Sequence, residues 1–400
     1  MVGPEISQSK AKIVHLITGL PVGGAQTVLF QLLERIGNDP YQSEVLSLTE
    51  VGAVGDRIRS ELNIPVHALN ISRKLPDPLR IAKLVFWLRH TRPALVQTWM
   101  YHADLVGGIA GKLSCEAPIL WNIRQSNLDP VSSKPTTILT AKACARLSRI
   151  IPKSIVCCSE ASRDVHAEMG YDAKRMVIIR NGVDATRFKP DPVARRRIRT
   201  ESNIPETALV IGLIARWDPQ KDHRTFISGA AKLGNTFSDA YFLLCGEGIT
   251  TENRELMSWI AETGIGNRFR LLGRRNDIAS VTAALDFAAS TSSYGEGFPN
   301  TVAEAMACGV PCVVTNVGDS AFIVGNLGEV IASKNPTAFA GAVAKLAAGA
   351  ETKSSDMSTR TRLRMIDHFS IDTAISAYHQ LYEESLAQAK HRMRTNSRRG

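Results

Sequence analysis

The chain lacks most of what marks a metalloenzyme, a membrane span or a nucleic-acid reader. No Asp-x-Asp pair occurs in its 400 residues, so the usual carboxylate pair for a divalent ion on a diphosphate is missing. No His-x-His or HExxH pattern groups its nine histidines, and no metal is expected. The seven cysteines are an odd number without ligand spacing: Cys157 and Cys158 are adjacent, Cys308 and Cys312 straddle a helix end, and Cys115, Cys144 and Cys245 stand alone. That pattern suits buried free thiols in a reducing compartment. No apolar run approaches the ~20 residues of a membrane-spanning helix. The opening MVGPEISQSKAK has no apolar stretch of a secretory signal, so a cytoplasmic location is expected. No G-x-G-x-x-G follows a strand, which argues against a nicotinamide oxidoreductase even though Glu50 could have served as its acidic partner. Aromatics are only 6% of the chain and no known reading module is present, so the net charge of +10 is not assigned to nucleic acid.

What is present is an alternation of strands and helices on a chain too long for one comfortable core. From Lys12, the apolar runs KIVHLIT, SEVLSLT, IPVHAL, ALVQTW, ILWNIR and SIVCCS alternate with amphipathic stretches such as AQTVLFQLLERI and DPLRIAKLVFWLRH. A second series, LVIGLIAR, AYFLLCG, RFRLLG, DFAAST and PCVVT, begins near Ala208. Both read as α/β domains with parallel sheets covered by helices. The Pro- and Arg-rich RFKPDPVARRR interrupts the rhythm, placing a linker near residues 185–195 and domains at 1–190 and 191–370. A last amphipathic helix, about 371–390, is expected to cross back to the first domain, leaving a disordered basic tail at 391–400. Residues 1–190 carry 24 Lys and Arg against 16 Asp and Glu, a balance of +8, while residues 191–389 stand at −3. An anionic partner is therefore expected on the first half.

The most informative segment is EGFPNTVAEAMACGVP, Glu296 to Pro311. It reads as loop, helix and strand, with Asn300 as N-cap and Gly309 as stop. Glu296 and Glu304 then face one crevice beside a helix N-terminus that favours an anion. Acids beside an anion site suit a ligand both hydroxylated and phosphorylated, such as a nucleotide sugar; the plainer reading is a surface turn with two solvated glutamates. Arg216 and Lys221, in ARWDPQKD after the strand LVIGLIAR, would put two cations where a diphosphate leaves. CGEG, with Gly246, ends the next strand with permissive backbone. In the first half, Gly23 and Gly24 of GLPVGG precede a helix, which is a phosphate cradle or a plain tight turn.

Taken in order, GGAQ at 23–26, NGVD at 181–184, ARWDPQKD, CGEG and EGFPNTVAEAMACGVP resemble the retaining GT-B glycosyltransferases of the group 1, or family 4, type over roughly residues 12–390. The resemblance implies two Rossmann-like domains facing a central cleft and an enzyme that moves a sugar from a nucleoside-diphosphate sugar to an acceptor hydroxyl with retention. It also implies no metal and no cofactor beyond the donor substrate. It assigns Arg216 and Lys221 to the diphosphate, Glu304 to the ribose, Glu296 with the backbone of Gly297, Phe298, Pro299 and Asn300 to the sugar hydroxyls, and Thr301 to the donor. Gly24, beside Gly23, would meet the phosphate or sugar from the other domain, and Gly246 would line the same cleft. His102, after ALVQTW, resembles the family's histidine beside the transferred sugar, although a lone histidine is more often structural. Arg124 and Asn127 would lie on the acceptor side. Ala215 stands where the family often has Gly, and so does Asp319, which leaves the identity of the donor open. The acceptor would be a saccharide or lipid-linked saccharide of polysaccharide, lipopolysaccharide or glycolipid synthesis. A nucleotide-sugar epimerase of the same architecture is the alternative. Finally, TILTAKACARLSRIIPKS, Thr137 to Ser154, read as one helix, puts Lys142, Arg146 and Arg149 on a face beside Leu139, Ala143, Leu147 and Ile150. An anionic membrane surface is therefore a further expected partner; the plainer reading is a core-packed helix with a solvated basic face.

Overall fold

The structure, a computed structural model, describes residues 10–71, 78–128 and 133–396; the first nine residues and the last four of the basic tail lie outside the described residues. The chain divides into two compact units. One comprises residues up to Arg124, Leu128–Ile179 and everything from Ala374; the other comprises Gln125–Asn127 and Arg180–Thr373.

The first unit is built on seven strands in the order β3-β2-β1-β4-β5-β6-β7, all parallel. They are β1 (Ala11–Ile17), β2 (Tyr41–Ser47), β3 (Val66–Ala68), β4 (Leu95–Trp99), β5 (Ile119–Ile123), β6 (Ser154–Cys157) and β7 (Met176–Ile178), with helices α1 (Gly24–Ile36), α2 (Gly52–Leu62), α3 (Pro78–Thr91), α4 (Tyr101–Ser114), α5 (Pro135–Leu147) and α6 (Glu160–Glu168) between them. Burial on both faces explains why the central strands read as nearly unbroken apolar runs. One face packs α1 and α2 over Ile13, Ile17 and Val45. The other packs α3, α4 and α5 over Val14, Val96 and Trp121.

The second unit repeats the plan with six parallel strands in the order β10-β9-β8-β11-β12-β13. Its strands are β8 (Val210–Ile214), β9 (Tyr241–Cys245), β10 (Phe269–Leu271), β11 (Phe287–Ser290), β12 (Cys312–Thr315) and β13 (Glu329–Ile331), and its helices are α7 (Pro192–Glu201), α8 (His223–Thr236), α9 (Arg254–Glu262), α10 (Ile278–Ala283), α11 (Asn300–Ala307), α12 (Ser320–Val324) and α13 (Pro336–Phe369). The long α13 contributes Phe339 and Val343 to one apolar layer and Met365 and Phe369 to the other.

Three expectations need correction. The Pro-rich stretch is not the boundary: Pro192 begins α7, the Asp191 carboxylate caps the amides of Val193 and Ala194, and the units part at Ile179 and Arg180. The last helix, α14 (Ile371–Asn396), continues through most of the basic tail, because nothing between Lys390 and Asn396 breaks a helix. From Ala374 it belongs to the first unit, where Tyr378, Leu381 and Tyr382 join the α1 face of the core. The basic helix ends at Leu147; the Ser148 hydroxyl folds back on Ala145 O at 2.7 Å, and Pro152 precedes β6. All seven cysteines are free, and all but Cys115 are buried.

Where the chain enters and leaves the second unit, its two segments are joined. Val183 N donates to Phe369 O at 2.8 Å and Ile371 N donates to Val183 O at 3.0 Å. A Cβ on Gly182 would lie 2.3 Å from the Ile371 Cα, so only glycine allows this approach. Gly182→Ala should therefore cost about 1–3 kcal/mol of stability through overpacking, read as a lower denaturant midpoint of the full chain.

Candidate active site

In a parallel sheet, the loops leaving the carboxyl ends of the strands share one edge, and a crevice opens where the strand order reverses. In the second unit the reversal lies between β8 and β11, the strands whose following loops carry Arg216, Lys221 and Glu296. Arg216 is half-exposed, its guanidinium held on Asp218 at 2.9 and 3.0 Å. Asp218 also closes the short turn before Lys221 by accepting from Gln220 N at 2.9 Å. Asp222, with φ of 46°, then starts α8 and caps Thr225 N. This turn aims the Lys221 ammonium at Glu296 Oε1, which also accepts from the Ser292 hydroxyl at 2.6 Å. The two residues that the motif reading assigned to different parts of a donor thus form one ion pair, and Glu296 is buried.

Gly246 closes the loop after β9. With φ of 156°, its missing Cβ would lie 2.1 Å from Ala215 O, so this glycine lets the β8 and β9 loops pack backbone on backbone. The loop after β11 continues from Glu296 into buried Gly297, Phe298 and Pro299. The Phe298 ring meets Phe369 at 5.8 Å between centroids. Asn300 is not the N-cap: Pro299 is, α11 begins at Asn300, and no side chain caps it. The Asn300 side chain is engaged otherwise, its Oδ1 accepting from Asn181 Nδ2 at 2.6 Å. Thr301 lies in the first turn. Glu304, one turn further, is half-buried; loss of water raises its pKa to about 7 against a smaller opposing pull from Arg187.

In the first unit, Gly23 is the extended N-cap of α1 and Gly24 its first, exposed residue; no side chain caps these amides. A Cβ on Gly23 would lie 2.6 Å from Gln26 Oε1. His102 stands in the first turn of α4, not on a loop, after Met100 takes a φ of 72°. It is exposed, yet enough of the ring is packed for desolvation to lower its pKa. Beneath it, Asp104 is fully buried, accepting from the Thr98 hydroxyl at 2.5 Å and from Asn122 N at 3.4 Å. Burial holds its pKa far above the carboxylate range. Arg124 lies 5.8 Å from the Trp99 ring and donates to Asn122 Oδ1 at 3.4 Å, while Asn122 Nδ2 donates to the Tyr378 hydroxyl at 2.9 Å. Asn127 does not share this setting, because Gln125–Asn127 group with the second unit, where the Ser126 hydroxyl donates to Glu296 O. Asp104, Tyr378, Ser292 and Asn181 were not singled out from the sequence. Tyr378 was visible only as an apolar position of the last helix, and Asn181 only as part of NGVD.

Two family models account for most of the chain. One, described as Glycosyltransferase Family 4, matches residues 22–187; the other, Glycosyl transferases group 1, matches residues 194–364. The chain belongs to the group 1 glycosyltransferases. Similar proteins include the Escherichia coli UDP-Gal:alpha-D-GlcNAc-diphosphoundecaprenol alpha-1,3-galactosyltransferase, 23% identical over 80% of this chain and 83% of that one. A D-inositol 3-phosphate glycosyltransferase of Corynebacterium jeikeium is 30% identical over 56% of this chain and 55% of its own length. Among solved structures, Anabaena Alr3699/HepE in complex with UDP superposes with a TM-score of 0.82 at 22% identity, covering 93% of this chain and all of that one. The fold of this glycosyltransferase is accordingly GT-B, two Rossmann-like domains each with a parallel sheet.

The Glu304 pKa sets a pH dependence. A carboxyl whose folded pKa lies near 7, above its unfolded value near 4.5, adds stability in full below pH 4.5 and loses it as pH rises to about 7. Glu304→Gln should therefore match the wild type at pH 4.5 and exceed it by about 1–3 kcal/mol at pH 8, measured as melting temperatures across that range.

Proposed function

We propose that this glycosyltransferase takes a sugar from a UDP-sugar and passes it to a hydroxyl of a lipid-linked saccharide, with retention and without a metal ion. The observation that carries this reading is the Lys221–Glu296 pair, placed with Arg216 at the carboxyl edge of the second sheet. Negative charge grows on the departing diphosphate, and cations already oriented there stabilise that state more than the ground state. Lys221 keeps its direction because Glu296 and the turn at Asp218 hold it. Glu304, when ionised, offers acceptors to ribose hydroxyls, and the amides at the head of α11 offer donors to an anion. Retention implies attack on the face the diphosphate leaves, with that phosphate taking the acceptor proton; no carboxylate base is then needed. UDP is favoured by the UDP named in the E. coli relative and bound in the Anabaena structures. Metal independence rests on the missing Asp-x-Asp. The E. coli relative's diphosphoundecaprenol acceptor favours a lipid-linked one here, in polysaccharide or glycolipid synthesis.

Arg216→Ala should lower kcat/KM by roughly 30- to 1000-fold, the loss of about 2–4 kcal/mol at a leaving group, with an unchanged melting temperature because the side chain is exposed. Lys221→Ala should match that loss in rate and also lower the melting temperature, since Glu296 stays buried without its counter-charge. EDTA should leave turnover of a UDP-sugar intact; strict dependence on an added divalent ion would defeat the metal-free reading.

The same reading places the first unit on the anionic inner face of the cell membrane. Helices α3, α4 and α5 pack side by side on one face of the sheet. Their outer surface exposes Phe86 (66%), Leu113 (62%) and Leu139 (69%), with Ile150 (64%) just beyond α5. Lys83, Lys112, Lys142, Arg146 and Arg149 are exposed among them, and the only acid in the three helices, Asp104, is buried. Interleaved apolar and cationic side chains suit an interfacial contact, at about 1 kcal/mol per well-placed cation. Among the described residues no helix is long and apolar enough to cross a membrane. Vesicles rich in anionic lipid should sediment the protein at low salt and release it at high salt, while Lys142→Glu with Arg146→Glu abolishes binding. Equal binding to neutral vesicles would remove the charge from the argument.

A further inference from the structure

The main segment of the second unit begins at Arg180; Arg180 reaches the donor loop through Asp319, and Asn181 reaches it directly. Arg180 Nε donates to Asp319 Oδ2 at 3.2 Å, and its guanidinium lies 4.4 Å from the centroid of the Phe322 ring. Asp319 is 4% exposed, and its own amide donates to Gly297 O at 2.9 Å. The next residue, Asn181, is buried and donates to Asn300 Oδ1 at 2.6 Å. One end of the loop from Gly297 to Asn300 is thus gripped through Asp319 and the other through Asn181. The grip has a firm base, because Gly182 and Val183 are locked against Phe369, Ser370 and Ile371. The loop after β12 backs directly onto the same peptides: Gly318 has φ of 60°, and a Cβ there would lie 2.1 Å from Glu296 O.

The carbonyl and amide of one trans peptide point in opposite directions. With Gly297 O bound to Asp319 N, the Phe298 N–H is turned away from Asp319. With Glu296 O bound to the Ser126 hydroxyl, the Gly297 N–H is turned away from Ser126. The orientation of both amides therefore depends on what holds the carbonyls, and Asp319 holds one of them. An acid at position 319 also brings negative charge close to an anion site, and Arg180 balances it.

We infer that Arg180, Asn181 and Asp319 are positioning residues that aim the backbone amides of Gly297–Asn300 and so set the sugar-dependent part of donor recognition. This rests on the reading of that loop as the place where the sugar hydroxyls bind. The three residues act through the loop, so they govern the sugar and leave the diphosphate contacts of Arg216 and Lys221 alone.

The test is calorimetry with UDP, UDP-glucose and UDP-galactose, together with steady-state turnover of whichever sugar the wild type transfers. Arg180→Ala, Asn181→Ala and Asp319→Asn should each bind UDP within about twofold of the wild type. They should lose about tenfold, the scale of one hydrogen bond to a charged group, in the extra affinity that the sugar provides, and their preference between the two sugars should narrow. Arg180→Lys keeps the charge and should recover part of the loss, and it serves as the probe if Arg180→Ala melts early. Variants that keep the full sugar increment, or that lose UDP and UDP-sugar affinity equally, would overturn the inference while the sugar site stands. A wild type that gains no affinity from either sugar and turns over neither would overturn the sugar site itself, and this inference with it.

Discussion

The Lys221–Glu296 ion pair is the constraint around which the second unit's site is arranged. A carboxylate as buried as Glu296 is tolerable only with a counter-charge and further hydrogen bonds, and Lys221 and Ser292 supply both. For Lys221 to arrive there, the chain after β8 must turn sharply. Asp218 closes that turn, and Asp222 takes a left-handed conformation to start α8 at once. For Glu296 to arrive there, the loop after β11 must lie back over the sheet, where Gly318 leaves room for its backbone. The pair therefore fixes two loops against each other across the point where the strand order reverses. Its chemical consequence is preorganisation. The ammonium is partly shielded from water and already aimed, so little reorganisation remains when a leaving group becomes more negative.

The first unit uses a different device, a chain of buried polar contacts ending at Arg124. Helix α14 brings Tyr378 to Asn122, and Asn122 meets Arg124, whose guanidinium lies over Trp99. The same helix brings Tyr382 to Gln97 on the neighbouring strand. Both strand-borne amides sit inside the sheet, where an unpartnered amide is costly, and the helix supplies an acceptor for Asn122 Nδ2 and a donor for Gln97 Oε1, while Gln97 Nε2 is left without a partner among the described residues. The last helix is thus more than an apolar cover for this unit. Its tyrosines supply part of the polar interior beneath the carboxyl ends of β4 and β5, where His102 and Arg124 begin.

The repeating architecture was legible because its signals are periodic. Runs such as KIVHLIT and PCVVT can only be strands buried on both faces, and the glycines and prolines between them mark the turns. The three-residue strands Met176–Ile178 and Glu329–Ile331 escaped, since so short a run carries little periodicity; Val66–Ala68 and Phe269–Leu271, equally short, were found within the longer runs IPVHAL and RFRLLG. The boundary was misplaced because prolines and arginines mark a helix start as readily as a linker, and Asp191 ahead of Pro192 is a capping pattern. At the site, residue identities were readable from motifs, but their pairings were not. Nothing in the spacing of Lys221 and Glu296 reveals a contact across 75 positions; only the adjacency of β8 and β11 in the sheet does. Asn300 illustrates the same limit, for it has the local chemistry of an N-cap, yet a tertiary partner, Asn181, takes its side chain instead.

That displacement bears on the ligand. A helix whose first amides are satisfied by its own N-cap side chain has less to offer an anion. In α11 the cap is Pro299, which has no side-chain acceptor, and the asparagine that could have capped it is turned to Asn181. The head of α1 has the same character, with a glycine in the capping position. By contrast α6, α8 and α9, which carry none of the assigned donor residues, are capped by Ser159, Asp222 and Asn253. Side-chain caps are missing at the two helix starts that the motifs assign to a phosphorylated donor, but they are missing also at α2, α4, α5, α10 and α12, so an open helix start does not by itself mark a ligand site. A solvent-exposed helix start loses roughly 1 kcal/mol without its cap, and a bound anion can offset that loss. At α1 and α11 it is the neighbouring motif residues, Gly23 and Gly24 and the loop from Glu296 to Asn300, that single out the open amides; the missing cap only leaves those amides available.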